Sequence, residues 1–168
     1  MKGEIVDLVD ENDIVVGSTD VETAHELKQF HRVAGVFVFD ENGDLLMQKE
    51  NKYGRYDTSV GGHVGAGESY EDAVRREMEE ELSLTVPVQK VSVFLSPQAR
   101  LNHWWGLYEG KAPQGWEFKE TDEVKSLERM PLPEIVGLMN ESPDKFTPGF
   151  INTMREYVRV KGYPFTLP

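Results

Sequence analysis

The chain contains no cysteine. That absence excludes disulfides, thiolate metal ligands and cysteine nucleophiles together. No apolar run approaches the roughly 20 residues that a transmembrane helix needs. The opening Met1-Lys2-Gly3-Glu4 has no apolar signal-peptide core. A cytoplasmic protein with no membrane partner is expected. Basic residues are scarce: 18 Lys and Arg against 30 Asp and Glu leave a net charge of −12. Phosphate-backbone binding draws on clustered Lys and Arg. No basic stripe is visible, so polymeric nucleic acid is not expected as a partner. A small anionic substrate stays compatible with the charge if divalent cations mediate the contact.

What is present fits one soluble domain. The 168 residues, 39% apolar and 29% charged, suffice for a packed core. We expect a single domain over 1–168, with an N-terminal extension (1–30), a core (31–161) and a tail (162–168). Residues 4–9 and 14–18 read as a hairpin across Asp10-Glu11-Asn12-Asp13, and 21–30 as a short helix. The apolar run 33–39 suits a central strand, followed by a turn at 41–44 and a returning strand at 45–49. Residues 57–62 form a brief strand that runs into glycines. The clearest helix is 69–82: Ser69 caps it, Asp72 completes the capping-box spacing, and Val74, Met78 and Leu82 make one apolar stripe. Strands over 85–95, 101–108 and 124–130 and helices over 133–139 and 148–160 complete an α/β pattern, a mixed sheet covered by helices.

The chemistry concentrates between Gly62 and Leu84. At about 100° per residue, Glu77, Glu80 and Glu81 share an arc of roughly 100° on the helix, while Glu79 points elsewhere. Three carboxylates on one face repel one another, and they sit where the helix dipole disfavours anions. Divalent cations offset those costs, because Mg²⁺ prefers carboxylate oxygens and substrate phosphates. Gly61, Gly62, Gly65 and Gly67 allow a tight path from strand to helix. Arg76 can hold a carboxylate bidentately.

This segment resembles the Nudix box, Gly-x5-Glu-x7-Arg-Glu-U-x-Glu-Glu-x-Gly-U, where U is bulky and apolar. It carries Gly62, Glu68, Arg76-Glu77-Met78, Glu80-Glu81 and Leu84 in register, and departs from the pattern only at Ser83. The resemblance implies a Nudix-like α/β/α sandwich with an N-terminal β-hairpin extension. It implies a Mg²⁺- or Mn²⁺-dependent hydrolase acting on the diphosphate linkage of a nucleoside diphosphate derivative or similar small molecule. Glu77, Glu80 and Glu81 become metal ligands and Gly62 contributes a carbonyl. Arg76 orients a glutamate and Glu68 supports the site. Glu77 is the first choice of general base, with Glu117, Glu120 and Glu123 as later-loop candidates. Many relatives pair, so a homodimer is a further expectation.

A looser likeness runs along most of the chain. Val6 to Asp13, His31-Arg32-Val33-Ala34 and Asp57 to His63 are similar to the branch holding type I isopentenyl-diphosphate isomerase and its hydrolase-like relatives. In that isomerase a cysteine precedes the box glycine; here Gly61 stands there. Its later strand carries two glutamates; the counterpart here, Leu101-Asn102-His103-Trp104-Trp105, has no carboxylate. Hydrolysis is therefore preferred to isomerisation, and a non-catalytic nucleotide sensor is the other alternative. His25, His31 and His63 correspond to the isomerase's three-histidine metal site, which without the strand glutamates would be incomplete. Arg32, Lys49, Lys52 and Arg55 are candidate phosphate contacts. Trp104, Trp105, Trp116 and Tyr53 are candidate stacking platforms, with one of the adjacent pair Trp104 and Trp105 pointing inward.

Overall fold

A computed structural model describes residues 3–97 and 102–168. Strands β1 (Ile5–Val9) and β2 (Val15–Asp20) pair antiparallel across the Asp10–Asp13 turn. There Asp10 Oδ1 accepts from the backbone N–H of Asn12 and Ile14. Helix α1 (Val21–Glu26) is shorter than the sequence suggests. Asp20 caps it, and Lys28 (φ 52) turns the chain out of it. The next strand, β3 (His31–Phe39), begins two residues early, at His31.

Strand β3 organises the sheet. β4 (Leu45–Lys49) returns beside it, followed by β5 (Tyr56–Asp57) and β6 (Val60–His63). The expected strand at 57–62 is thus split at Thr58-Ser59. Ser59 Oγ accepts the Val38 N–H and donates to Leu46 O. Helix α2 (Tyr70–Leu82) follows, then β7 (Val88–Pro97), β8 (Asn102–Lys111) and β9 (Leu127–Met130). The expected strand start at Leu101 lies outside the described residues. Helix α3 (Leu132–Glu141), a 3₁₀ turn at Pro143–Lys145 and helix α4 (Pro148–Lys161) close the chain. β3 pairs antiparallel with β1, β4 and β6 and parallel with β8, from His31↔His103 to Phe39↔Lys111. A strand enclosed on both faces reads as a continuous apolar run, which explains residues 33–39.

Alternation along β3 feeds two cores. Ala34, Val36 and Val38 face α2, where Val74, Met78 and Leu82 are buried as the stripe predicts. Phe37 faces the opposite layer, with Ile135 and Met139 of α3 and Phe150 and Met154 of α4. The result is the expected α/β/α arrangement. The segment after α4 is packed down: Phe165 and Leu167 lie against the second core. Helix α2 begins as expected, with Ser69 Oγ accepting the Asp72 N–H. It ends at Ser83, which adopts the left-handed conformation (φ 48, ψ 42) that glycine usually supplies. Leu84 N–H reaches back to Met78 O at 3.3 Å. Among the described residues no helix is long and apolar enough to cross a membrane.

Candidate active site

The C-terminal half of α2 lies over the glycines of β6. Glu77 and Glu81 are buried there, while Glu80 is about half exposed at the rim. Gly62 is required by Glu77: a Cβ at Gly62 would overlap the Glu77 carboxylate. The carboxylates whose oxygens come within 4.8 Å of one another are Glu77, Glu81 and Glu123. This differs from the expected trio, since Glu123 joins the group and Glu80 lies outside it. With Gly61, Gly62, His63, Arg76 and Glu80 they line a cleft of about 500 Å³.

Glu123 is delivered by a pinned loop. Thr121 Oγ1 donates to Glu81 O at 2.9 Å and accepts the Val124 N–H at 3.0 Å, and Val124 is buried. The other later-loop candidates are elsewhere. Glu117 borders a separate cleft near Asp40 and Trp116, and Glu120 pairs with Lys125 on the surface. The sequence offered three equivalent carboxylates, and only the Thr121 anchor separates them.

Arg76 is the hub of the site. Its guanidinium takes Glu68 bidentately, both contacts at 3.0 Å, and donates to Glu77 Oε1 at 2.7 Å, Glu80 Oε2 at 3.3 Å and His63 O at 3.0 Å. Burial works to raise Glu68, but Arg76 and the Gly65 N–H hold its carboxyl below the usual range. Glu77 goes the other way because burial outweighs the arginine. Burial, together with neighbouring Glu77 and Glu123, pushes Glu81 up to about 8, although Gln48 Nε2 donates to it at 2.6 Å. Two buried carboxyls raised in this way on one helix face could hold a divalent cation, which would offset the cost of ionising them. Their oxygen-only donors suit Mg²⁺ or Mn²⁺.

Across β6 lies a second cleft of about 440 Å³, sharing Gly61, Gly62 and His63 with the first. Trp105 forms part of its lining and rests on Gly35, where a Cβ would come within 2.8 Å of the indole. Trp105 is therefore the inward member of its pair. Trp104 points to the other face and donates to Asp10 O at 3.2 Å. Gln48 and Asp57, which the sequence did not single out, also border this cleft. Burial raises the Asp57 carboxyl.

The proposed phosphate contacts are mostly committed elsewhere. Arg32 binds Asp13 at 2.7 Å and stacks on Tyr70, joining the hairpin to the core. Lys49 pairs with Glu128 at 2.5 Å and lies over Tyr56. Arg55 borders the second cleft but is paired with Glu50. Lys52 lies over exposed Tyr53. Trp116 is half-buried against the first core and borders the separate cleft beside Asp40 and Glu117.

His25, His31 and His63 do come together, and His103 joins them. His103 was missed because a single histidine on a strand carries no spacing signal. The register of β3 with β8, set 72 residues apart, brings it there.

The family described as NUDIX domain matches residues 29–150. The chain is 33% identical to isopentenyl-diphosphate Delta-isomerase 2 of Photorhabdus laumondii, with 88% of each chain covered. It is 32% identical to an uncharacterised Nudix hydrolase of Nostoc sp., over 84% of this chain and 89% of that one. Among solved structures, a Deinococcus radiodurans protein superposes with a TM-score of 0.69 at 26% identity, covering 83% of this chain and 90% of that one.

Proposed function

Because this chain belongs to the Nudix family, we propose that it is a metal-dependent hydrolase. It cleaves the diphosphate linkage of a nucleoside diphosphate derivative or similar small molecule. The observation that carries this reading is the convergence of Glu77, Glu81 and Glu123 over Gly62, with Arg76 fixing Glu68 and Glu77. Glu77 and Glu81, with Glu80 at the rim, would hold Mg²⁺ or Mn²⁺. Such cations neutralise a diphosphate and make water more acidic. Arg76 keeps Glu77 aimed into the cleft and shares its charge. Glu123, exposed and without an ion-pair partner among the described residues, would accept the proton of the attacking water. Glu77, the other candidate base, has one oxygen engaged by Arg76. Hydrolysis would leave a nucleoside monophosphate, or its equivalent, and a phosphorylated remainder.

Isomerisation of isopentenyl diphosphate is the second reading, favoured by the names of several relatives. Gly61 opposes it, because no thiol stands beside the box glycine, and the chain contains no cysteine. The deciding experiment is a phosphate-release screen over nucleotide-linked diphosphates, with isopentenyl diphosphate included and its isomerisation followed. Each compound is run with and without Mg²⁺ or Mn²⁺. Cation-dependent release that falls at least 100-fold in Glu81→Gln, about 2.7 kcal/mol of transition-state stabilisation, is expected. Full turnover in Glu81→Gln and Glu80→Gln would overturn the metal assignment. Binding without turnover would favour a nucleotide sensor.

A further inference from the structure

All four histidines of the chain meet at one point beside the carboxylate cleft. His25 comes from α1, His31 from the start of β3, His63 from the end of β6 and His103 from β8. One ring nitrogen of each lies within 4.8 Å of all the others. The sheet dictates this: His31 and His103 are direct partners, and His63 is opposite Val33 on the same strand as His31.

The nitrogens are arranged for a ligand. His31 Nδ1 is 2.8 Å from Gln29 O, so that nitrogen donates and Nε2 keeps its lone pair. A ligating histidine is commonly oriented by such a second hydrogen bond. Nε2 of His31 and Nε2 of His103 are buried with no partner. Leaving a buried polar atom unsatisfied is destabilising, and a purely packed cluster would carry that cost twice. His25 Nε2 and His63 Nε2 face each other at 3.2 Å. A tetrahedral ion with Zn–N bonds of about 2.0–2.1 Å needs its nitrogens about 3.4 Å apart.

We propose that these four nitrogens bind one first-row transition ion of the zinc class, in a closed four-coordinate site that pins the N-terminal extension to the sheet. The donor set selects the ion. Neutral imidazoles suit Zn²⁺, Ni²⁺ and Cu²⁺, whereas Mg²⁺ requires oxygen. The isomerase likeness implies three histidines completed by strand carboxylates. Here the strand supplies His103 and Trp105 in their place, and the nearest carboxylate, Glu4, stands 4.0 Å from His63 Nδ1. Four protein ligands leave no open position, which is the pattern of a structural site. The ion would add to the Arg32–Asp13 and Trp104–Asp10 contacts that already hold the extension, whose own buried cluster is small: Val6, Val21 and Ala24, with Leu8 packed against it. This site is independent of the hydrolase reading.

The test uses the full chain stripped with chelator and titrated with Zn²⁺ against a competing chelator, with elemental analysis. One Zn²⁺ per chain is expected, retained in Glu81→Gln and weakened at least 100-fold in His103→Ala and His25→Ala. His25 lies on the extension outside the two main cores, so His25→Ala serves if His103→Ala fails to fold. X-ray absorption should show four nitrogens near 2.0 Å. Amide exchange over residues 21–30 should slow on adding Zn²⁺. Undiminished binding in both histidine variants, loss in Glu81→Gln, oxygen-rich coordination or absence of stoichiometric zinc would overturn the site. Unchanged exchange in 21–30 would overturn the pinning role.

Discussion

A methyl group at Gly62 would collide with the Glu77 carboxylate, which occupies the space a Cβ needs. Glu77 can swing away, so Gly62→Ala should cost little stability but more than tenfold in kcat/KM, read by steady-state kinetics beside a thermal melt. Glu81 makes a second prediction with a definite sign. Burial holds its folded carboxyl up to about 8, against 4.5 in the unfolded chain. Between those values the folded state binds more protons, so metal-free stability falls as pH rises from about 4.5 to 8 and then levels off. Glu81→Gln should therefore stabilise the metal-free protein at pH 8 by roughly 1–3 kcal/mol, or about 3–10 °C in Tm. It should change little near pH 4. Equal melting of both proteins at pH 8 would refute this. The convergence of Glu77 and Glu81 was legible because helical periodicity by itself puts them on one face, whereas Glu80, on the edge of that arc, stays at the rim. Glu123 was named but could not be separated from Glu117 and Glu120, and His103 was not singled out, because each is delivered by a contact distant in sequence: Thr121 on Glu81 O, and β8 on β3.

Elements carry their own test. Helix α2 was readable from its cap and stripe, and its C-terminus holds a residue in a costly conformation. Ser83 sits in the left-handed region at φ 48. Removing its side chain relieves strain of about 1 kcal/mol. Ser83→Gly should raise the melting temperature by a few degrees and leave kcat unchanged; a lower Tm would show that the cap relies on the serine side chain. The loop bearing Glu123 is tied to α2 by the Thr121 hydroxyl, which donates to Glu81 O. Glu123→Gln should lower kcat at least tenfold while Mn²⁺ affinity, measured by calorimetry, stays within about threefold. A loss confined to metal affinity would make Glu123 a ligand and not a base. Elements bounded by turns, such as β3 with β4, were predictable. The split between β5 and β6 was not, because it depends on Ser59 bonding Val38 and Leu46 across the sheet.

For the whole molecule, the hairpin extension and the core are joined by Arg32, a residue whose position in the sequence suggested a phosphate contact. Its bonds to Asp13, half-shielded beside Tyr70, are structural. Arg32→Leu should lower stability by about 1–3 kcal/mol with KM within twofold of wild type; a tenfold rise in KM would return Arg32 to the substrate. The sequence signalled helices on both faces of a mixed sheet, but strand order carries no local signature and emerges only from long-range pairing. One consequence of that order concerns time. Residues paired between β3 and β8 are 72 positions apart, and α2 lies within the span they close. Closing so long a loop costs entropy before its contacts offset it, and non-local pairing of this kind slows refolding toward the millisecond-to-second range. On the ribosome, the helix with the box glutamates emerges well before β8, a central strand of the sheet beneath it, so a nascent chain stalled short of β8 would carry the whole box and still lack much of its floor.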